Sequence, residues 1–380
     1  MVDIKGKAQT LARDLNIKLI MRLLSDKSYS RSELSKALGL SNSALTKIVG
    51  EMMGMSFIVQ ASSYNDGTLP RGRKEIGLKI NEEYGMIFAF TLTGFEIKIR
   101  LCSFVGAILC KRTIVAENTI TSGTLDSVVI NMREMLSEYE TDSFKLLGIC
   151  IGAVGKVNTK TKTLVKSYKY KDCENIDFSE YFTSRFGVPT IISNIVSLQM
   201  YAEKNQSLNT LANSIMLHVD YGFGGAVWLG NKLYEGDNGF AGEFGMIPVR
   251  DADGKWSVYE DICSINSMLK KAGLKLDKES FEIFVSKLKE QDGREAKILE
   301  QSIDYTAVLI KGLVKTFDVS EIIITGGISV LREEYLDKLS YRIADNSLTI
   351  RYSTVRGGAG IIGAVKNAID HVVDDAISKR

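Results

Sequence analysis

The chain has 380 residues, of which 45% are hydrophobic and only three are proline. This length suits two or three domains with hydrophobic cores, and no apolar stretch reaches the roughly 20 residues of a membrane-spanning helix. The N-terminus lacks the apolar stretch of a signal peptide. We therefore expect a globular protein of the cytoplasm that does not enter a membrane. The five cysteines contain no CxxC pair, which argues against a disulfide framework and against a cysteine-built zinc site.

Charge is distributed unevenly along the chain. Residues 1–80 carry 13 Lys and Arg against 7 Asp and Glu, whereas the remainder carries 35 against 39. A basic head on a mildly acidic body is typical of a nucleic-acid-binding module attached to a sensor or an enzyme. Without a supporting motif, random scatter of surface charge would remain an alternative.

The first 52 residues have the pattern of a helix-turn-helix. Residues 8–25 place leucine and isoleucine, from Leu11 to Leu24, at helical spacing, which predicts one apolar stripe. Ser30 precedes Glu33 by three residues, so a capping box should start a short helix at Arg31 that runs to about Leu38. Gly39 would end this helix, and Ser41 would cap the next one.

The next helix has the pattern of a recognition helix. Its apolar positions, which we expect to face inward, are Ala44, Leu45, Ile48, Val49 and Met52. The polar positions near its N-terminus, where base edges are contacted in a major groove, are Asn42, Ser43, Thr46 and Lys47. A plain helical hairpin without DNA contacts is the alternative.

A β-wing is predicted to follow the recognition helix. Residues 57–61 and 75–80 have strand character and flank a polar segment with the turn signal Asn65-Asp66-Gly67. Arg71 and Arg73 stand beside Gly72 in this segment, and such arginines enter narrow minor grooves. They could also be solvated surface charges. We predict that residues 1–80 form a winged helix-turn-helix domain, which binds a palindromic double-stranded DNA operator with A·T-rich flanks.

From residue 85 onward the pattern changes to α/β. Residues 86–109 predict a β-meander, and a helix over about 124–138 precedes a buried strand over 145–157. Strands and helices then alternate, with helices at about 262–272, 278–290 and 296–317 and a strand at 321–325.

Four glycine-containing segments in this order and spacing resemble those of the ROK family (repressors, open reading frames and sugar kinases). They are residues 148–157 (GICIGAVGKV), 220–226 (DYGFGGA), 238–245 (NGFAGEFG) and 324–329 (ITGGIS). The resemblance implies an actin-like (ribonuclease H-like) ATPase-type α/β fold with two lobes and a sugar site in the cleft. The first lobe would span 81–195, with a C-terminal helix over 360–380 returning to it, and the second lobe would span 196–359.

The kinase motifs of this family are altered at three positions. Thr91 stands where the kinases have the aspartate of a DxGGT loop, and Ile195 stands where they have the catalytic base of an NDAN motif. Isoleucine has no lone pair with which to accept a proton. Asp220 replaces a glycine of the phosphate loop and would repel a triphosphate. We therefore expect no catalytic residues and no enzyme activity.

The family's zinc site is altered as well. Met246 stands at its histidine position, and the following segment contains only Cys263 where the family has three cysteines. The two histidines, His218 and His371, lie elsewhere in the sequence. Tetrahedral zinc needs four donors, so we predict no metal and no other cofactor.

Part of the family's sugar-binding set is retained. The resemblance implies that Asn194, Glu243 and Glu260 contact sugar hydroxyls and that the segment from Gly152 to Gly155 forms the facing wall. Asn194 could instead only cap a helix, and Glu260 could be a surface acid.

The predicted function is a sugar-responsive transcriptional regulator, most simply a repressor, that binds DNA as a homodimer or higher homo-oligomer. Its effector would be a sugar or a phosphosugar, and its head would fold as a separate unit. One alternative is a ROK-type sugar kinase that retained a DNA-binding head. Another is a regulator whose input is a protein.

Overall fold

The computed structural model describes residues 4–61, 76–93, 96–116, 120–167, 176–206, 211–289, 293–355 and 357–379, and for residues 4–9 the backbone alone. Within these ranges no helix combines the length and the apolar character needed to cross a bilayer. The elements form a small helical head with a three-stranded sheet, followed by two five-stranded sheets with helices.

The head has the predicted helix-turn-helix. It contains α1 (Ile4–Leu24), β1 (Tyr29–Ser30), α2 (Arg31–Leu38), α3 (Asn42–Gly54), β2 (Ile58–Gln60) and β3 (Gly77–Ile80). Ser30 and Glu33 form the capping box of α2, and Gly39 ends that helix at a φ of 65°. Strands β2 and β3 pair antiparallel, with Ile58 opposite Ile80. The predicted capping box and the two strands that flank the wing are confirmed.

Two predictions about the buried faces of the head are wrong. Leu11 and Leu15 are 69% and 53% exposed, because the buried stripe of α1 is formed by residues further along the helix, from Ile17 to Leu24. Ala44 is exposed as well, and Leu45 is the first residue of α3 to face the core.

The first five-stranded sheet has the strand order β10-β7-β4-β5-β6. Its strands are β4 (Met86–Leu92), β5 (Glu96–Ser103), β6 (Ile108–Val115), β7 (Leu146–Ala153) and β10 (Thr190–Asn194), and β8 (Gly155–Asn158) pairs with β9 (Thr163–Ser167) beside it. Its helices are α4 (Ser122–Ser137) and α5 (Phe178–Phe186). Strand β7 runs parallel to both β4 and β10, so the carboxyl ends of these three strands share one edge.

The second five-stranded sheet has the order β13-β12-β11-β16-β17. Its strands are β11 (Ser214–Val219), β12 (Phe223–Leu229), β13 (Lys232–Tyr234), β16 (Glu321–Thr325) and β17 (Thr349–Tyr352), and β14 (Pro248–Arg250) pairs with β15 (Trp256–Val258) apart from it. Its helices are α7 (Glu260–Cys263), α8 (Ile265–Ala272), α9 (Lys278–Lys287), α10 (Arg294–Phe317) and α11 (Arg332–Ile343).

Two helices connect the parts of the molecule. Helix α6 (Ile195–Lys204) follows β10 of the first sheet and leads to β11 of the second. Helix α12 (Ala359–Ser378) follows β17 and returns to pack on α6, β4 and β7, with further contacts to α1 of the head.

The hydrophobic core of the head continues into the body. Phe57 at the start of the wing, Tyr84 and Phe104 form one aromatic cluster, with ring centroids 4.6–5.7 Å apart. Val373 and Ile377 of α12 are buried in the same core as Leu45 and Met52 of α3. The head is therefore not packed as a separate unit, contrary to the prediction, because residues far apart in sequence complete its core.

The segment over 238–246 lies directly on strand β12. Gly242 has a φ of 94°, and a side chain there would collide with the backbone of Gly225. A methyl group on Gly225 would in turn lie 2.6 Å from the Met216 carbonyl oxygen and would overlap the ring of Phe244. Glycine at both positions therefore allows the close approach that positions Glu243.

These contacts predict that alanine destabilises the protein at Gly225 but not at the neighbouring Gly224. Gly225→Ala should lower the free energy of unfolding by about 1–3 kcal/mol, the usual cost of overpacking. Gly224→Ala is the matched control, because a methyl group at Gly224 meets no atom within 4 Å among the described residues. Chemical denaturation of both variants measures the difference. Equal unfolding free energies for the two variants would contradict this packing.

Candidate functional site

The polar face of α3 is the candidate DNA-binding surface. Ser41 caps the helix by accepting a hydrogen bond from the Ala44 N–H at 3.2 Å. The side chains of Asn42, Ser43, Thr46 and Lys47 are all exposed on this helix. The Thr46 hydroxyl donates to the Asn42 carbonyl at 2.7 Å. Arg71 and Arg73 lie outside the described residues.

A cleft of about 510 Å³ lies between the two five-stranded sheets. Thr93, Val154 and Asn194 reach it from the carboxyl ends of the parallel strands β4, β7 and β10, and Asp220 reaches it from the end of β11. Ligands of α/β proteins bind in crevices at this edge of parallel strands. The cleft also contains Asn194, Glu243 and Glu260 together, the three residues predicted to contact sugar hydroxyls.

Asn194 both caps α6 and lines the cleft. Its Oδ1 accepts a hydrogen bond from the Val196 N–H at 2.8 Å, and its Nδ2 donates to the Gly155 carbonyl at 2.8 Å. Asn194 therefore caps the helix, as the alternative prediction stated, and also lines the cleft. Because an amide has two N–H donors and two acceptor lone pairs, one of each is left beyond these two hydrogen bonds.

The two glutamates come from different elements. Glu260 begins α7, and its Oε2 accepts a hydrogen bond from the Phe223 N–H at 2.9 Å, which fixes the start of β12 beside the cleft. Glu243 precedes the 3-10 turn Phe244–Met246 and is half-buried. Glu260 is half-buried as well, so both glutamates lie at the cleft rather than fully in solvent.

The Asp220 carboxylate binds backbone amides of two glycine-containing turns. Its Oδ1 accepts from the Tyr221 N–H at 2.8 Å, and its Oδ2 accepts from the Gly327 N–H at 3.1 Å. Backbone N–H groups in such turns are the donors with which proteins bind phosphates. At these two amides the acceptor is the protein's own carboxylate.

Two buried polar atoms of cleft-lining residues have no hydrogen-bond partner among the described residues. They are Oε1 of Gln199 and Nδ1 of His218. Burial lowers the pKa of His218, and the carboxylate of Asp220, 3.7 Å from Nε2, opposes this shift. The imidazole is therefore biased toward the neutral form, with one nitrogen as donor and the other as acceptor. An unpartnered buried polar group is costly, so these atoms are candidate contacts for a polar ligand.

Gly152, Thr91 and Ile195, which the sequence placed in the family's motifs, contribute packing. Gly152 lies inside β7, and a side chain there would lie 2.9–3.0 Å from Leu198 and Ile195 of α6. It does not line the cleft, so the wall predicted for Gly152 is formed by Val154 and Gly155. Thr91 is buried within β4, and Ile195 is buried against Gly360 of α12 while also lining the cleft.

The residues of the altered zinc motif are separated in the structure. Met246 lines the cleft, whereas Cys263 is buried beside α10, and its Sγ lies 3.6 Å from the Ser302 carbonyl oxygen. Burial raises the pKa of the Cys263 thiol to about 12. Within the described ranges, no three His, Cys, Asp or Glu side chains are grouped so that they could hold a metal ion.

Gln199, His218 and Asn266 line the cleft but were not among the residues predicted to bind the effector. Gln199 follows Ile195 by one helical turn, so the spacing within α6 could have indicated it. His218 and Asn266 reach the cleft through the pairing of β11 and the start of α8, which no local pattern indicates.

Comparisons with known proteins agree with this architecture. A xylose repressor from Lactiplantibacillus pentosus is 27% identical over 377 residues, covering 93% of this chain and 94% of the relative. A β-glucoside kinase from Listeria monocytogenes is 25% identical over 293 residues, covering 73% of this chain and 96% of the kinase. The kinase therefore matches a smaller share of this chain than the repressor does.

A solved structure of a ROK family transcriptional regulator, a homologue of the E. coli Mlc protein, superposes with a TM-score of 0.76. It covers 97% of this chain and 100% of the regulator at 20% identity, so it supports a shared fold that includes the head. The model of the ROK family matches residues 94–370, well over half of the sequence. The chain belongs to the ROK family.

Proposed function

We propose that this protein is a transcriptional repressor that binds operator DNA through its head and releases it when a sugar binds in the cleft. The main support is that one chain contains both an exposed recognition helix and a polar cleft lined by Asn194, Glu243 and Glu260. The whole-length relationship to a xylose repressor supports this assignment and makes xylose the first effector to test. We propose a DNA-binding domain over residues 1–80, a first lobe over 81–195 with 360–380, and a second lobe over 196–359.

We propose that the effector is a neutral sugar rather than a phosphosugar. Within the described part of the chain, the residues that line the cleft include no lysine or arginine. Asp220, Glu243 and Glu260 instead bring three carboxylates to it. A phosphate group would meet like charges there, whereas sugar hydroxyls can donate hydrogen bonds to carboxylates.

The same geometry favours a protein without kinase activity over a sugar kinase with a DNA-binding head. Asp220 accepts the amide hydrogen bonds that a nucleotide phosphate would need, and Ile195 offers no base. The cleft also lacks, among its described residues, the cation that commonly neutralises a transferred phosphoryl group. No ATP consumption is therefore expected.

A physical route connects the cleft to the head. Asn194 caps α6, α6 packs on α12, and α12 shares its core with α1 and α3. A sugar that fits one arrangement of the two sheets better than another would shift α6, α12 and the head together. In a homodimer this would change the spacing of two heads and their fit to a palindromic operator.

The first functional prediction concerns the wing. Arg71→Ala combined with Arg73→Ala should weaken operator binding more on A·T-rich than on G·C-rich flanks, because a narrow minor groove attracts arginine. Lys74→Ala, which removes a charge from the same segment, should weaken operator binding equally on A·T-rich and G·C-rich flanks. Fluorescence anisotropy with the two DNA duplexes measures this. Equal losses on both duplexes for the arginine variant would leave the arginines only a phosphate-contact role.

The second functional prediction is that the protein does not phosphorylate sugars. Ile195→Asp alone should not create the activity, because Thr91 and Asp220 remain unsuited to a nucleotide. A coupled ATP assay with xylose, hexoses and amino sugars tests both proteins. Phosphorylation by the wild type above a blank without protein would refute the proposal in favour of the sugar kinase.

The third functional prediction concerns the effector. Glu243→Ala should shift the xylose concentration that releases operator DNA upward by roughly ten- to a hundredfold, because a hydrogen bond to a charged group contributes about 1.5–3 kcal/mol. Operator affinity without sugar should stay unchanged. Glu180→Ala, a change on the exposed face of α5, is the control.

Two other outcomes separate the alternatives. If the Glu243→Ala protein releases DNA at the same xylose concentration as the wild type, the signal enters elsewhere. If xylose and a panel of other sugars all leave wild-type operator affinity unchanged, a protein input becomes the better explanation.

A further inference from the structure

A second cavity lies at the junction of the head and the body, apart from the cleft. It has a volume of about 190 Å³. Met21 of α1 forms one side, Phe104 and Ile108 around the β5–β6 turn form another, and Val365 and Ile369 of α12 complete it. Its wall is therefore mainly apolar and combines the first helix of the head with the last helix of the body.

Cationic side chains border this apolar cavity. Arg22 is half-buried there, and among the described residues its guanidinium group has no hydrogen bond and no carboxylate within ion-pair distance, although its charge acts on the nearby Asp370. Arg100 donates one N–H to the Ile99 carbonyl at 2.9 Å. Lys366 donates to the Asn205 carbonyl at 2.8 Å, and burial lowers its pKa. The guanidinium groups of Arg22 and Arg100 therefore still have N–H groups that could donate hydrogen bonds to a ligand.

One acid, Asp370, lies in the same wall, and the charge of Arg22 favours its ionised form. Asp370 accepts a hydrogen bond from the Tyr201 hydroxyl, and burial raises the pKa of this carboxyl group despite that bond. Asn205, which is 6% exposed and also lines the cavity, has a buried Oδ1 without a hydrogen-bond partner in the described ranges. The wall therefore combines unused donors, an unpartnered acceptor and an apolar surface.

The size and charge of the cavity define a class of ligand. A cavity of about 150 Å³ lined by apolar side chains accepts benzene, so the larger volume here suits a molecule of roughly that size with a small polar group. A guanidinium group without a direct carboxylate contact beside an apolar wall favours a carboxylate ligand, which it binds through two parallel hydrogen bonds. Ligand sites occur preferentially at such junctions between domains.

We propose that the cavity between α1, the β5–β6 turn and α12 binds a small carboxylate with an apolar body, whose carboxylate pairs with Arg22. The site is independent of the sugar cleft, and it contacts the head directly through α1. It would give the protein a second small-molecule input.

The probes that test this site are benzoate and its neutral counterpart, benzyl alcohol. Isothermal titration calorimetry of the full chain should show benzoate binding with one site per chain and at least tenfold weaker binding of benzyl alcohol. Arg22→Gln should weaken benzoate binding roughly tenfold, because it removes a charged hydrogen-bond donor. Arg133→Gln, an identical change at an exposed position on α4, is the matched control and should leave the affinity unchanged.

A second pair of variants tests the location. Ile362 lines the cavity and is 38% exposed, so Ile362→Trp should block it and abolish benzoate binding. Ile283→Trp is the control, because Ile283 is 41% exposed on α9 of the second lobe. The proposal is overturned if benzoate does not bind, if benzyl alcohol binds equally well, or if Arg22→Gln and Ile362→Trp behave as their controls. None of these outcomes depends on a sugar in the cleft.

Discussion

The close packing of α12 on α6 is the constraint on which the rest of the structure depends. Gly363 of α12 lies so close to the Leu198 carbonyl that any side chain at this position would collide with it. Gly360, one turn earlier, makes room for Ile195 in the same way. Because both positions lack a side chain, the two helices approach closely, and α12 can reach the first sheet and the head at once.

A buried network of charges attaches the other end of α6 to the second sheet. Lys204 pairs with Glu321 of β16, and Arg351 of β17 pairs with both Glu321 and Glu203. Burial opposes ionisation of Glu203, but hydrogen bonds from Ser353, Arg351 and Thr354 lower its pKa below the usual value. Buried charges are tolerated when each is paired in this way, and loss of one partner is costly.

Helix α6 therefore connects the two sheets rigidly. Its N-terminus carries Asn194 into the cleft, and its C-terminus is held by the charge network. Glu203 accepts hydrogen bonds from Ser353, Thr354 and Val355 and thereby also fixes the chain just before α12. A ligand that alters the start of α6 acts on an element whose other contacts lead to the head, which is what a repressor requires of its effector site.

Local structure could be predicted from the sequence because its signals are local. The capping box of Ser30 and Glu33 determined where α2 begins, and the order of the glycine segments indicated that Asn194, Glu243 and Glu260 share one cleft. Ala44 faces solvent rather than the core, because helical spacing alone does not fix which neighbour a helix meets. Gly152 packs against α6 instead of lining the cleft, because only the residues that follow β7 reach the cleft edge of the sheet.

The features that sequence did not indicate depend on contacts between distant residues. Phe57 and Phe104 join the head to the body although 46 residues separate them in the chain. His218 enters the cleft only because β11 pairs with β12 and β16 in this register. The anion-binding amides of Tyr221 and Gly327 are likewise brought to Asp220 by the fold, so the carboxylate's structural role was not visible in the motif.

The central claim is that the cleft and the head are energetically coupled. The most direct test is to measure the dissociation constant of xylose twice, once for the free protein and once for the protein saturated with operator DNA. Coupling is reciprocal, so operator should weaken xylose binding by the same factor by which xylose weakens operator binding. An unchanged xylose dissociation constant in the presence of operator, with xylose bound in the cleft, would contradict the account.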